Sequence, residues 1–275
     1  MFDTLAKMFH YSFMSRALIV GILVSLCASL LGVSMVLKRY SMIGDGLSHV
    51  GFAALAAAAA AGISPLKVAI PVSIVCAFLM LRISSNSRMK GDQLVAIMCS
   101  GALAIGVMIV SLSSGMNTDV NNYMFGSILA LSESDATLSK ILSVIVLVVF
   151  VIFYNRIFAV TFDESFAKAT GTRVELYNAI LAVLTAVTVV IGMRLMGALL
   201  ISSLIIFPAL SSMRVCKKYK AVMICSAIIS VLCFVVGISI SFIKSTPAGA
   251  SVVCVNLAVF IVFAIYNAIY TRIKK

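Results

Sequence analysis

The chain reads as an all-α protein, a polytopic transmembrane helix bundle of about eight or nine spans. Of its 275 residues, 63% are apolar and only 11% charged, and the mean hydropathy is +1.18. A soluble domain carries a far larger charged fraction. The apolar residues also fall into successive runs long enough to cross a hydrocarbon core, which takes about 20 residues of helix. Helix is the element such runs adopt, because a helix satisfies its own backbone polar groups where no water is available.

The runs occupy approximately residues 17–37, 46–62, 66–82, 93–113, 138–158, 176–193, 196–213, 220–243 and 248–270. They leave no length for a separate soluble domain, so residues 1–275 are expected to form a single transmembrane domain. The first fifteen residues, MFDTLAKMFHYSFMS, carry polar groups every few positions and lack a signal-peptide core with a cleavage site, so no cleavage is expected.

Basic residues cluster between the runs: Lys38-Arg39; Arg82, Arg88 and Lys90; Arg156 to Arg173; Arg214, Lys217, Lys218 and Lys220; and Arg272, Lys274 and Lys275. The positive-inside rule puts all of them on the cytoplasmic side. Topology thus accounts for the formal net charge of +12 without a nucleic-acid partner. The loops near Ser64-Pro65, 114–136 and 244–247 then face outward. The sides alternate only if 176–213 crosses twice, turning near Arg194 to Gly197, which gives nine spans with the N-terminus outside; one re-entrant run reduces the count to eight. Lys67 and Arg194 then need outward or snorkelling positions. Residues 123–131 are apolar but too short to span, and read equally as a re-entrant half-helix and as an interfacial segment.

The stretch AALAAAAAA at 53–61, together with Gly101, Gly106, Gly192 and Gly197, supplies low-bulk surfaces suited to close helix approach. The seven cysteines (Cys27, Cys76, Cys99, Cys216, Cys225, Cys233 and Cys254) stand singly without metal-ligand spacing and read as small packing residues.

Ionisable groups inside spans are costly and mark functional sites. In KRYSMIGDGLSHVGFAALA, Asp45 and His49 lie four apart and share one helix face. A carboxylate and an imidazole so placed make half of a divalent metal site suited to zinc or manganese. Nothing nearby is expected to supply the thiolate that a soft-metal site prefers, and a second copy of the chain would complete the shell. The alternatives are an Asp45 that caps the second span and a His49 that hydrogen-bonds a neighbouring helix. Asp45 is the only acid expected inside a span, the others falling in tails or loops.

In residues 160–178, VTFDESFAKATGTRVELYN, Asp163 is positioned to cap a short helix ending at Gly171, with Phe166, Ala169 and Thr170 on one side and Lys168 on the other. Such a helix is either a docking element for a soluble partner or an amphipathic helix lying on headgroups. In GALLISSLIIFPALSS (197–212), Pro208 frees a carbonyl and kinks or breaks the helix, while Ser202, Ser203, Ser211 and Ser212 re-satisfy freed groups or line a path. No GxxxxGK[ST], HExxH or nucleophile-elbow motif occurs, so neither ATP hydrolysis, other enzymatic chemistry nor a bound cofactor is expected of this chain.

Four blocks, LKRYSMIGDGLSHVGFAALA (37–56), FDESFAKATGTRVELYN (162–178), MGALLISSLIIFPALSS (196–212) and STPAGASVV (245–253), resemble in content and order the permease subunits of zinc/manganese/iron ABC importers. The resemblance runs from roughly residue 10 to 270. It implies a type II importer-like permease in a bacterial cytoplasmic (inner) membrane, homodimeric or closely heterodimeric. Two cytoplasmic ABC ATPase subunits would bind the ATP, and an extracytoplasmic metal-binding protein would deliver the ion. The resemblance puts Asp45 and His49 on the metal path, with the divalent metal as substrate. It makes residues 163–171, with Asp163, Phe166, Ala169 and Gly171, the coupling helix that seats on the ATPase. The family motif usually has Ala or another small residue after the Asp and often Ala or Thr after the His; Gly46 and Val50 stand here, and neither removes a ligand. Two other classes compete with this reading: an ion-coupled secondary transporter, which works without an ATPase, and a scaffold subunit indifferent to loss of Asp45 and His49.

Overall fold

The computed structural model describes residues 12–86, 91–113 and 132–273, and their regular structure is entirely helical. The helices are α1 (Ser12–Leu37), α2 (Ile43–Ala60), α3 (Pro65–Asn86), α4 (Gly91–Leu112), α5 (Glu133–Ile152), α6 (Tyr154–Phe162), α7 (Glu164–Ala169), α8 (Val174–Met196), α9 (Ala198–Val215), α10 (Tyr219–Lys244) and α11 (Ala248–Ile273). Among the described residues, nine helices are long and apolar enough to cross a membrane, all but α6 and α7. The apolar segment 123–131, which reads equally as a half-helix and as an interfacial segment, lies outside the described residues.

Gly197 explains why the count is nine rather than eight. It separates α8 from α9 with φ 84° and ψ 159°, a backbone region that essentially only glycine enters. A Cβ on Gly192 would meet Ile201 at 2.4 Å. Residues on either side of Gly197 are therefore in contact, so the chain doubles back there, as the charge alternation requires.

The run expected at 138–158 divides differently. Ser132 accepts the Asp135 N–H at 3.1 Å and caps α5, so the helix begins at Glu133. It ends at Ile152, where Phe153 (φ −93°, ψ 8°) leaves helical geometry before α6. The early start draws Asp135 into the bundle: its side chain is 13% exposed and meets Arg194 at 2.6 Å. Asp45 is therefore not the only acid within a spanning helix. Arg194 is paired rather than left to snorkel, which matters because a sheltered charge without its partner costs several kcal/mol. Lys67 lies exposed in the first turn of α3.

Burial separates an inner set of helices from an outer one. Over their apolar windows α1, α2 and α8 are 67% buried and α9 56%, whereas α4 is 22% and α11 17% buried, so the latter turn most of their surface away from the chain. Apolar side chains gain little by leaving lipid, and close backbone approach with interhelical hydrogen bonds supplies the cohesion instead. A Cβ on Gly32 would stand 2.1 Å from the Ile205 carbonyl oxygen, which puts α1 and α9 in backbone contact. Ser230 and Ser226 of α10 donate to the Ser25 and Ser29 carbonyls at 2.9 and 3.4 Å, and the Ser34 and Tyr219 hydroxyls share a bond of 2.9 Å. Gly101 makes no such approach, with nothing within 4 Å of its would-be Cβ.

The two ends of the bundle differ in charge balance. At one end Lys38 meets Glu164 at 2.6 Å and also Asn178, and Arg156 reaches Thr172 at 3.4 Å, with Arg39, Lys168 and Arg173 on the same connecting segments. At the other end Arg16 pairs with Glu133 and Arg194 with Asp135, with the scattered Lys67 and Lys244 as further cations. The surplus of cations assigns the Lys38 end to the cytoplasm.

Candidate metal centre and docking helix

Asp45 is the third residue of α2, and its own N–H bonds to the Met42 carbonyl at 3.1 Å. Met42 occupies the cap position without a side-chain bond, so Asp45 is not the N-cap. His49 follows one turn later, its Nε2 3.9 Å from Asp45 Oδ2. The pair faces neighbouring helices, since Asp45 is reached by Ser202 of α9 and Cys99 of α4. The side chains of Asp45 and His49 are 36% and 20% exposed, so an ion can reach them while water screens the attraction only in part.

Two further groups arrive from other helices. The Cys99 thiol of α4 donates to Asp45 Oδ2 over 3.8 Å. The ligand atoms of Asp45, His49 and Cys99 all lie within 4.8 Å of one another. Ser202 Oγ of α9 donates to Asp45 Oδ1 at 3.1 Å, holding one carboxylate oxygen and leaving the other turned towards His49 and Cys99. Gly46 permits the approach of α4, since a Cβ there would stand 3.3 Å from Val95 Cγ1 and 3.9 Å from Cys99 Sγ. Distant in sequence and set among apolar neighbours, Cys99 reads as a packing cysteine, and only the pairing of α2 with α4 reveals its place beside Asp45. It also corrects the expectation that no thiol stands near the pair.

The other α9 residues serve their own helix. Buried Ser203 donates to the Leu200 carbonyl at 2.8 Å, and Ser212 donates to the Ala209 carbonyl at 2.9 Å. Pro208 is buried within α9, which continues from Ala198 to Val215 and so does not break there. A single proline removes one ladder bond, and the surrounding buried turns hold the helix together. Of Ser202, Ser203 and Pro208, only Ser202 reaches the Asp45 cluster.

At the Lys38 end, Asp163 (φ −149°, ψ 99°) caps α7, its Oδ1 accepting the Phe166 N–H at 2.9 Å. The helix stops at Gly171, which takes φ +80° while the Thr172 N–H returns to the Ala167 carbonyl at 2.9 Å. Ala167 is fully buried and seats the helix, whereas Phe166 is 65% exposed, and Ala169 and Gly171 are exposed as well. Burial pushes the Glu164 carboxyl up, but the Lys38 ammonium and Asn178 amide outweigh it and hold the group below its ordinary range. These bonds tie α7 to the ends of α1 and α8. Phe162 adds a second outward aromatic, 59% exposed and backed by Phe158 and Tyr219 at ring distances of 4.8 and 5.7 Å.

The profile of the ABC 3 transport family matches residues 10–267. The high-affinity zinc uptake system membrane protein ZnuB of Haemophilus influenzae is 30% identical over 245 residues, covering 89% of this chain and 94% of its own length. The manganese import system permease protein ScaB of Streptococcus gordonii is 29% identical over 252 residues, covering 92% and 90%. Among solved structures, PsaBC from Streptococcus pneumoniae in complex with Fab superposes with a TM-score of 0.85 at 27% identity, covering 95% of this chain and 94% of that one.

Proposed function

The chain belongs to the ABC 3 transport family, and from that premise we propose that it is the membrane-spanning permease of an ATP-driven importer for a divalent metal ion, zinc or manganese or, within the family's range, iron. It is a multi-pass protein of a bacterial cytoplasmic membrane. The observation that carries the metal reading is the Asp45–His49 pair, on one face of α2 with donor atoms 3.9 Å apart and turned towards neighbouring helices.

An extracytoplasmic binding protein hands the ion to the permease, and Asp45 and His49 take it as carboxylate oxygen and imidazole nitrogen. Ser202 holds the carboxylate in register through Oδ1. Two copies of the chain form a homodimer, each acting as one permease domain over residues 1–275. The site stays weak enough for release because one chain does not close the coordination shell.

Residues 163–171 act as the coupling helix. Phe166 and Ala169 are exposed for a groove on the ATPase, while Asp163 and Gly171 hold the two ends of the turn. ATP is bound and hydrolysed by that partner. The permease follows the ATPase only as far as it binds the partner's conformations with different affinity. Glu164 links α7 to α1 and α8, and these pack on α2 and α9, which carry Asp45 and Ser202. Displacement of α7 is in this way passed to the metal centre.

The test is co-purification and reconstitution with the candidate ATPase. ATP-dependent metal uptake that needs both proteins supports the reading. Uptake by this chain alone, driven by an ion gradient, makes it a secondary transporter instead.

A further inference from the structure

We infer that Cys99 is a third metal-coordinating ligand and that it biases this permease towards thiophilic ions, zinc above manganese; the inference rests on the Asp45–His49 reading given above. In a tetrahedral zinc site, with Zn–S about 2.3 Å and Zn–N and Zn–O about 2.0–2.1 Å, the donor atoms stand about 3.3–3.6 Å from one another. Asp45 Oδ2 lies 3.8 Å from Cys99 Sγ and 3.9 Å from His49 Nε2, and no pair of donors exceeds 4.8 Å. Closing these three atoms onto an ion takes shifts of about 1 Å or less, which side-chain torsions supply without moving a helix.

Two independent features hold this geometry. Ser202 occupies Asp45 Oδ1, so the free oxygen of the carboxylate is the one facing the thiol and the imidazole. Gly46 lets α4 approach α2, since a Cβ there would crowd Val95 Cγ1 at 3.3 Å and touch Cys99 Sγ at 3.9 Å.

Donor chemistry sets the preference. Carboxylate, carbonyl and water donors suit manganese, whereas a thiolate favours zinc. On coordination the S–H bond breaks, its proton passes to water, and the sulfur binds the ion as thiolate. Three donors from one chain leave a fourth position open, as in zinc sites that exchange what they bind. An ion held in this way can be received and released again.

The experiment loads the purified full-length chain with zinc and reads its coordination by X-ray absorption, alongside zinc-against-manganese competition binding. A sulfur scatterer at about 2.3 Å is expected in the unaltered chain and in Cys254→Ser, and is expected to vanish in Cys99→Ser. The zinc-over-manganese preference falls by about tenfold or more in Cys99→Ser and Cys99→Ala. A zinc shell without sulfur in the unaltered chain overturns the inference even where the variants fail to fold. So does a sulfur signal that survives Cys99→Ser, or a preference unchanged in both variants. If these results appear while zinc binding still depends on Asp45 and His49, only the role of Cys99 is lost. Zinc binding indifferent to Asp45→Asn and His49→Ala overturns the underlying metal-site reading as well.

Discussion

The α7 segment and the metal centre are stabilised by opposite kinds of interaction. In α7 the bonds that define the helix join near neighbours: Asp163 to Phe166 at its start, and Thr172 to Ala167 at its end. The metal centre has almost no local definition beyond the turn that separates Asp45 from His49. Cys99 and Ser202 reach it from α4 and α9, and their positions depend on how three helices pack. A substitution in α7 should therefore disturb one surface and leave the bundle intact. A substitution at the metal centre should alter the bound ion and leave the docking surface untouched.

The largest effect expected is on metal binding. Asp45→Asn or His49→Ala removes a direct donor, and zinc affinity of the purified chain should fall by more than the roughly 10–100-fold typical of groups that only orient a ligand. Co-purification with the ATPase should be unchanged. Titration calorimetry and pull-down separate the two readouts, and a parallel loss of both would erase the distinction between the regions.

Phe166→Asp should produce the converse. An exposed aromatic anchor at an interface contributes about 2 kcal/mol, so ATPase binding should weaken by roughly 30-fold while zinc affinity holds. Unaltered co-purification would remove α7 from the coupling role.

Ser202→Ala sharpens the account of the centre itself. Ser202 orients Asp45 and is not given as a donor to the ion, so its loss should weaken zinc binding by about tenfold, less than either direct donor. A loss as large as that of Asp45→Asn would make the hydroxyl a ligand in its own right.

The smallest effect concerns pH. The Glu164 carboxyl is held below its ordinary value of 4.5. Its contribution, through Lys38 and Asn178, is thus fully present above that value and is lost as pH falls through the lowered one. ATPase co-purification should be flat around neutrality and fail only in acid, and Glu164→Gln should remove that part of the acid sensitivity.

How much was legible in advance follows the same division. The ends of α7 could be read because capping is local chemistry: an aspartate three residues before a bonded amide, and a glycine where the chain must turn left-handed. The Asp45–His49 pair could be read because four residues make about one helical turn. Cys99 could not, since nothing in its own stretch marks it as a partner of Asp45, and Ser202 stood out only as one of four α9 serines able to line a path. Asp135 was missed for a different reason. Hydropathy places the start of α5 after its polar first turn, whereas Ser132 places it before that turn, and the gain for the carboxylate is Arg194, on a helix that is remote in sequence. Of the kink or break expected at Pro208, the break does not occur, because packing on both sides carries α9 past the missing bond.

The most direct test of the central claim is zinc and manganese uptake into vesicles that contain this chain with its ATPase, with and without ATP, for the unaltered chain and His49→Ala. Uptake that requires ATP and disappears in His49→Ala, with the ATPase still bound, is the predicted result. Undiminished ATP-dependent uptake by His49→Ala would contradict the assignment of the metal path to the Asp45–His49 face of α2.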